Sequence, residues 1–330
     1  MIFSKIVAVG VLWDHYYRLF GLRAIILIAY RVHRRMPVLR KTLRAWWWTL
    51  PRAFFSPTCR IAIPTTSRRQ IGDQTWFSNR FPDAHERRLE AAERIRQNQF
   101  CFLGTGVVAW GDPIDWHHDL KSGHRWPARF YVDYADQDLM PGHGADVKVP
   151  WELSRLQHLV TLGQVWWSTG DEAWGATYFA QWESWARANP APYGINWTNA
   201  MEVAIRSVSL SFSQRLLFDA PGWTDSRRST FLGMLRQHGT FIERNLEVGV
   251  RDGRIVAGNH YLANLCGLAC LGLSHPEMPE AKRWRTTALK ALEEEMQRQV
   301  LSDGVSFESS TGYHALVIEL LLLPALLARS

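Results

Sequence analysis

The 330-residue chain has only four cysteines, and none is spaced for a disulfide framework or a zinc site. Cys266 and Cys270 stand one helical turn apart and read as small core residues. There is no His-Glu-x-x-His word, and His117-His118 falls in a loop-like stretch without an evident third ligand, which argues against a metal enzyme. No metal and no cofactor is expected. The charged-then-apolar start, Lys5 followed by Ile6 to Leu12, is broken by Trp13, Asp14 and His15 and lacks a small-residue cleavage site. The run Ala24 to Tyr30 is too short to span a bilayer. Alternating β patterning is scarce after Pro150. Acid is almost missing from residues 1–60, which hold 11 Lys/Arg and one carboxylate, Asp14.

The net charge of +7 therefore belongs to that first segment, because residues 61–330 hold 27 bases against 30 acids. Residues 1–50 read as a basic amphipathic helical arm in which Arg alternates with aromatic and apolar residues. Over residues 15–48 this pattern suits an anionic membrane surface, or simply an arm packed on the main domain. No nucleic-acid module follows, so no nucleic-acid partner is expected. Residues 51–82, rich in Pro, Ser, Thr and Arg, read as an extended linker. Residues 83–330 form the main domain.

What is abundant is tryptophan, with 17 residues. Roughly two thirds are expected in the core, the rest being free to line a groove against sugar rings. Residues 101–150 carry many Gly, Asp, His and Pro and read as a long loop region. After Pro150 helical periodicity dominates, with runs at about 151–168, 171–188, 197–218, 224–247, 259–273, 279–301 and 310–329. Turn signals such as Thr169-Gly170-Asp171 and Ser302-Asp303-Gly304 separate them. Helices paired through short turns predict an all-α domain of antiparallel hairpins, arranged either as an α/α toroid or as an irregular bundle.

Chemistry-bearing residues gather at the predicted helix starts. Trp151, Arg155 and His158 are spaced to share one face, where a ring could stack on a sugar and a guanidinium could grip a carboxylate. Asn196 and Trp197 open the next candidate segment, and Glu202 and Arg206 are placed for an i,i+4 pair. Gly258-Asn259-His260-Tyr261 and Ser309-Ser310-Thr311-Gly312-Tyr313-His314 each put an amide or phenol beside an imidazole before an apolar run, with Glu308 close by. Taken singly, Asn259 reads as a helix cap and Tyr313 as a structural residue. Their recurrence points to one site that neutralises a sugar carboxylate and moves a proton from carbon.

In this order and spacing these words resemble the N-terminal toroid of the heparinase II/III family of polysaccharide lyases, over roughly residues 83–329. The resemblance implies an incomplete α/α toroid, similar in fold to certain alginate lyases, which family members follow with a β-sandwich. It implies β-elimination at a uronic acid of an acidic polysaccharide, a glycosaminoglycan or an alginate, in a bacterial periplasmic or secreted setting. Carried over by position, Asn259 and His260 match residues that neutralise the uronate carboxylate, and Tyr313 matches the catalytic tyrosine. Trp151, Arg155, His158, Asn196, Trp197, Glu202, Arg206, Glu308 and His314 are expected to bind substrate. The family usually has a second Asn where this chain has Gly258. The chain runs out in the apolar stretch Leu320 to Leu327, so the β-sandwich is expected to be absent and turnover to be slow or nil. Two other functions fit the residues. One is an inverting glycoside hydrolase using a pair among Glu152, Glu202, Asp303 and Glu308. The other is a non-catalytic sugar-binding or membrane-associated module.

Overall fold

The computed structural model describes residues 74–251 and 254–329. The basic arm, its membrane-surface stretch 15–48 and most of the linker lie outside the described residues. The stretch read as one domain divides into two compact units at Leu235/Arg236.

In the first unit, helix α1 (Gln74–Arg80) occupies what was expected to be the end of the linker. Its support is tertiary: the Arg88 guanidinium lies 4.0 Å over the Phe77 ring, and Phe77 also meets Phe81. Helix α2 (Pro82–Arg96) starts with Pro at its first position, where a missing N–H costs nothing. Residues 97–147 are mostly irregular, as expected. They hold a two-residue hairpin, β1 (Gln99–Phe100) with β2 (Val108–Ala109), and a short helix α3 (Asp136–Leu139). The buried Asp119 carboxylate gathers this region by accepting from Ser122 Oγ at 2.6 Å, Lys121 N at 2.8 Å and Asp146 N at 3.0 Å.

The run expected at 151–168 is two helices, α4 (Lys148–Ser154) and α5 (His158–Thr169). The break falls at Leu156, whose φ of 55° is left-handed and whose side chain is fully buried. Helix α6 (Glu172–Ala188) is capped by Asp171, and helix α7 (Ala200–Leu216) by Asn199, whose side chains accept from Ala173 N and Glu202 N. Helix α5 lies against α2, α6 and α7. Trp116, Trp166, Trp182, Trp185 and Trp197 fill the interior, so tryptophan acts here chiefly as core.

Helix α8 (Asp225–Arg244) gives its first half to this unit and its second half to the next. The second unit continues with the hairpin β3 (Gly249–Arg251) and β4 (Arg254–Val256), then α9 (Asn259–Ser274), α10 (Ala281–Gln299) and α11 (Thr311–Arg329). Helix α9 is apolar on nearly every face, so it sinks into the core and packs against both α10 and α11. Two forked ion pairs, Arg236 with Glu280 and Arg283 with Glu243, link α8 to the α10 region. Helix α11 buries Val317, Leu320 and Pro324 and exposes Ile318, Leu322 and Leu326. By length and composition it is also apolar enough to cross a membrane.

The approach of α9 to α10 depends on Gly272. A Cβ there would stand 2.6 Å from the Ala281 carbonyl oxygen and 2.7 Å from the Arg285 nitrogen, both backbone atoms with little room to move. Gly272→Ala is expected to destabilise the protein by about 1–3 kcal/mol. Gly233→Ala in α8, where nothing lies within 4 Å, is expected to be neutral or to stabilise by up to about 1 kcal/mol. Urea unfolding midpoints of the two variants check the contrast.

Candidate active site

The start of α9 is built around a carboxylate from elsewhere in the second unit. Gly258 precedes the helix in extended backbone, φ −130° and ψ −159°, so it is not required for an unusual conformation. It leaves room for the carboxylate, because a Cβ would sit 3.0 Å from Glu308 Oε1, a tight contact that a small shift of the Glu308 side chain would have to relieve. Asn259 then donates three hydrogen bonds to Glu308. Its backbone N–H reaches Oε1 at 2.9 Å, and its side-chain Nδ2 reaches Oε1 at 3.0 Å and Oε2 at 2.8 Å. The carboxylate thus occupies the positive end of α9 and replaces a local cap. Asn259 Oδ1 is buried without a hydrogen-bond partner, which follows from the amide being turned to give both its protons to an anion.

His260, the next residue, is half exposed and makes a different contact. Its Nδ1 lies 3.0 Å from Glu247 Oε1. Asn264, one turn further along α9 and fully buried, holds Glu247 twice. Its Oδ1 accepts from Glu247 N at 2.7 Å, and its Nδ2 donates to Glu247 Oε2 at 3.2 Å. The sequence reading missed Glu247 and Asn264. The one available signal was the i,i+4 spacing of His260 and Asn264 on α9.

Tyr313 is exposed in the first turn of α11, where Ser310 acts as the cap through its Oγ, 3.5 Å from Tyr313 N. Beside it, His314 Nδ1 accepts from Ser306 N at 3.3 Å, so its proton sits on Nε2 when the ring is neutral. Glu308 lies five residues before Tyr313 and is bonded to Asn259, so the starts of α9 and α11 share one end of the second unit. Of the candidates here, Asn259 and Glu308 are in contact, Tyr313 and His314 follow Glu308 in the chain, and His260 meets Glu247 instead. Glu308, expected to meet substrate, here holds the protein's own Asn259.

The first-unit candidates are placed otherwise. His158 does not share a face with Trp151 and Arg155, because the break at Leu156 puts it on α5. Its ring stacks against Trp116 and meets the edge of Phe100. Arg155 grips carboxylates, but they are the protein's own. It forms a fork on Glu202, at 2.7 and 2.9 Å, and also meets Glu152. Burial pushes the Glu152 carboxyl up from its ordinary value, with Glu202 adding to the effect against the pull of Arg155. Glu202, expected to pair with Arg206, holds Arg155 in a fork and also acts on Arg206 by its charge. Arg206 is fully buried, donates to the carbonyls of Ser154 and Asn196, and lies 4.4 and 5.3 Å from the Trp185 and Trp197 ring centroids. Asn196 and Trp197 are also interior. Asn196 donates to Trp116 O and Asn189 Oδ1, and Trp197 to Asn189 O. Half-buried Trp151 donates to Ile195 O. Residues chosen as sugar contacts therefore form a framework, because most of their polar groups have internal partners, the buried His158 Nε2 and Asn196 Oδ1 being exceptions.

Comparison with known proteins gives this architecture a class. The chain matches a heparan sulfate lyase HepC from Pedobacter heparinus with a TM-score of 0.55 at 23% identity, over 96% of this chain and 44% of that one. It matches a heparinase III with a TM-score of 0.55 at 18% identity, over 89% and 42%. These likenesses show the fold, an all-α chain of the incomplete α/α toroid type. The family described as Heparinase II/III N-terminus matches residues 77–329, and the chain belongs to it. It is 27% identical over 240 residues to a heparin-sulfate lyase of Pedobacter heparinus, covering 71% of this chain and 31% of that protein. It is 22% identical over 251 residues to a heparin-sulfate lyase of Bacteroides stercoris, covering 70% and 33%. The chain spans about a third of the length of these curated relatives.

The packing of His158 carries a pH consequence. Burial lowers its pKa from 6.5 to about 3, so the folded protein keeps the ring neutral. Between those values the unfolded chain binds the proton and the folded chain does not. Its contribution is thus fully present above pH 6.5 and is lost as pH falls toward about 3. The slope is at most about 1.4 kcal/mol per pH unit. His158→Phe should flatten that part of the stability–pH curve, measured by urea unfolding across the window. An unchanged slope would refute the assignment.

Proposed function

We propose that this chain carries the carboxylate-recognising and proton-transferring groups of a polysaccharide lyase that acts by β-elimination on a uronic-acid polymer. One observation supports this most: the backbone N–H and amide of Asn259, at the positive end of a buried helix, already grip a carboxylate. A uronate carboxylate needs the same donors, and they turn to it when Glu308 releases them. Neutralising that group stabilises the enolate formed when the C5 proton leaves. His260 stands next to Asn259, and the Tyr313 phenol can donate a proton to the departing glycosidic oxygen. The names of the relatives, heparin-sulfate lyases, make a glycosaminoglycan uronate the first polymer to test, with alginate as the contrast. The hydrolase alternative has less support. Glu152 and Glu202 are both committed to Arg155, Glu308 to Asn259, and Asp303 Oδ1 accepts from Val305 N.

The test is release of an unsaturated, ultraviolet-absorbing product from heparan sulfate, heparin or alginate. Tyr313→Phe keeps the ring of an exposed residue and should leave the fold intact. It is expected to lower turnover ~100- to 10,000-fold, the range for a positioned proton transfer. Asn259→Ala should lower kcat more than it raises KM, because neutralisation matters most in the transition state. Near-full activity of Tyr313→Phe on every polymer that the unaltered protein cleaves would end this mechanism. Release of reducing ends without unsaturation would favour the hydrolase.

A further inference from the structure

We propose that Glu247, clamped by Asn264, is a positioning residue that fixes the tautomer of His260 and so makes Nε2 the proton-accepting nitrogen of the site. The inference rests on the lyase reading for its use, but not for its geometry. A neutral imidazole carries one proton, and the hydrogen bond at one nitrogen decides where it sits. Glu247 is a carboxylate 3.0 Å from Nδ1, so Nδ1 is the donor and the lone pair lies on Nε2.

The clamp behind Glu247 separates this from an incidental surface contact. An exposed His–Glu pair contributes little to stability. Yet Asn264 is fully buried and uses both ends of its amide on Glu247, one on the backbone and one on the carboxylate. A buried amide needs partners. Here they fix the direction of a carboxylate that is itself only partly buried. Asn264 and His260 are four apart on α9, so one helix face carries both the ring and the group that holds its orienting acid.

The assignment divides the work at the start of α9. Asn259 presents N–H donors and suits the carboxylate. His260 as the Nδ1–H tautomer has no proton on Nε2 to give, so it suits the carbon acid. The C5–H bond breaks, its electron pair enters the carboxyl-conjugated system and the proton moves to Nε2. The C4–O bond then breaks as C4=C5 forms, and the leaving oxygen takes the Tyr313 proton. The imidazolium returns its proton to the phenolate, directly or through water, so protons and electrons balance. Glu247 stabilises the imidazolium in between, as a carboxylate behind a catalytic imidazole does.

Nuclear magnetic resonance of the full chain with isotope-labelled histidine reads the tautomer directly, the His260 ring signals being assigned by their loss in His260→Gln. The expected result in the unaltered protein is neutral His260 protonated on Nδ1. Glu247→Ala should shift His260 toward the Nε2–H form while leaving His314 unchanged. A neutral His260 protonated on Nε2 in the unaltered protein would overturn the proposal, and this reading holds even if Glu247→Ala does not fold. On a polymer that the protein cleaves, Glu247→Ala should lower kcat about 10- to 100-fold, the range typical of a partner that orients a functional histidine. KM should change little. An unchanged kcat would also overturn it. Release of reducing ends without unsaturation would sink the lyase reading alone, and the tautomer measurement would still decide the role of Glu247.

Discussion

The three hydrogen bonds from Asn259 to Glu308 constrain everything else at the candidate site. Hydrogen bonds to a charged acceptor are worth about 1.5–3 kcal/mol each when satisfied, and leaving the acceptor unpaired costs more than that gain. Here they are reinforced by the N-terminus of α9, where negative charge is favoured. Helix α9 is buried on nearly all sides, so it cannot rotate to relieve a poor contact. The direction of the Asn259 amide therefore follows from the packing of the whole unit. Gly258 completes the constraint by leaving the volume that the carboxylate occupies.

The first unit uses the same residue types for the opposite purpose. A guanidinium able to grip a sugar carboxylate is just as able to grip Glu202, and the internal partner is held in place at no cost in binding entropy. Arg155 sits between two acids and offsets part of their mutual repulsion. Arg206 is fully buried and feels the charge of Glu202. It satisfies two backbone carbonyls and lies between two indole faces, so burial lowers its pKa to about 9 without removing its charge at neutral pH. Removing one member of such a buried set leaves the others uncompensated. These side chains hold the α4–α7 framework together and are not available to a ligand.

Most of the helical layout was legible because its punctuation is local. The expected runs 171–188, 259–273 and 310–329 correspond to Glu172–Ala188, Asn259–Ser274 and Thr311–Arg329, whose starts are marked by Asp171, Gly258 and Ser310. The break at Leu156 had no such signature. A left-handed leucine is locally unfavourable and persists because its side chain is driven into the core, a tertiary effect invisible in a window of sequence. Helix α1 was missed for the same reason, since Phe77 and Arg88 meet only in the fold. At the site, the pairing of Asn259 with His260 and the proximity of Glu308 to Tyr313 could be read from motif order. Which carboxylate meets which donor could not, because Glu308 lies 49 residues from Asn259 and Glu202 lies 47 from Arg155.

Consecutive residues on a helix point about 100° apart, so Asn259 and His260 cannot share one orienting acid. Each receives its own, and each acid comes from a connecting segment. Glu308 precedes α11, and Glu247 follows α8. The helices fix where the amide and the imidazole start, but the segments fix what each is prepared to do: one presents donors to an anion, the other a lone pair to a proton. Connecting segments change more readily than buried helices. The chemistry proposed for this end of the unit therefore depends on Glu247 and Glu308 in their connecting segments, while α9 supplies the platform.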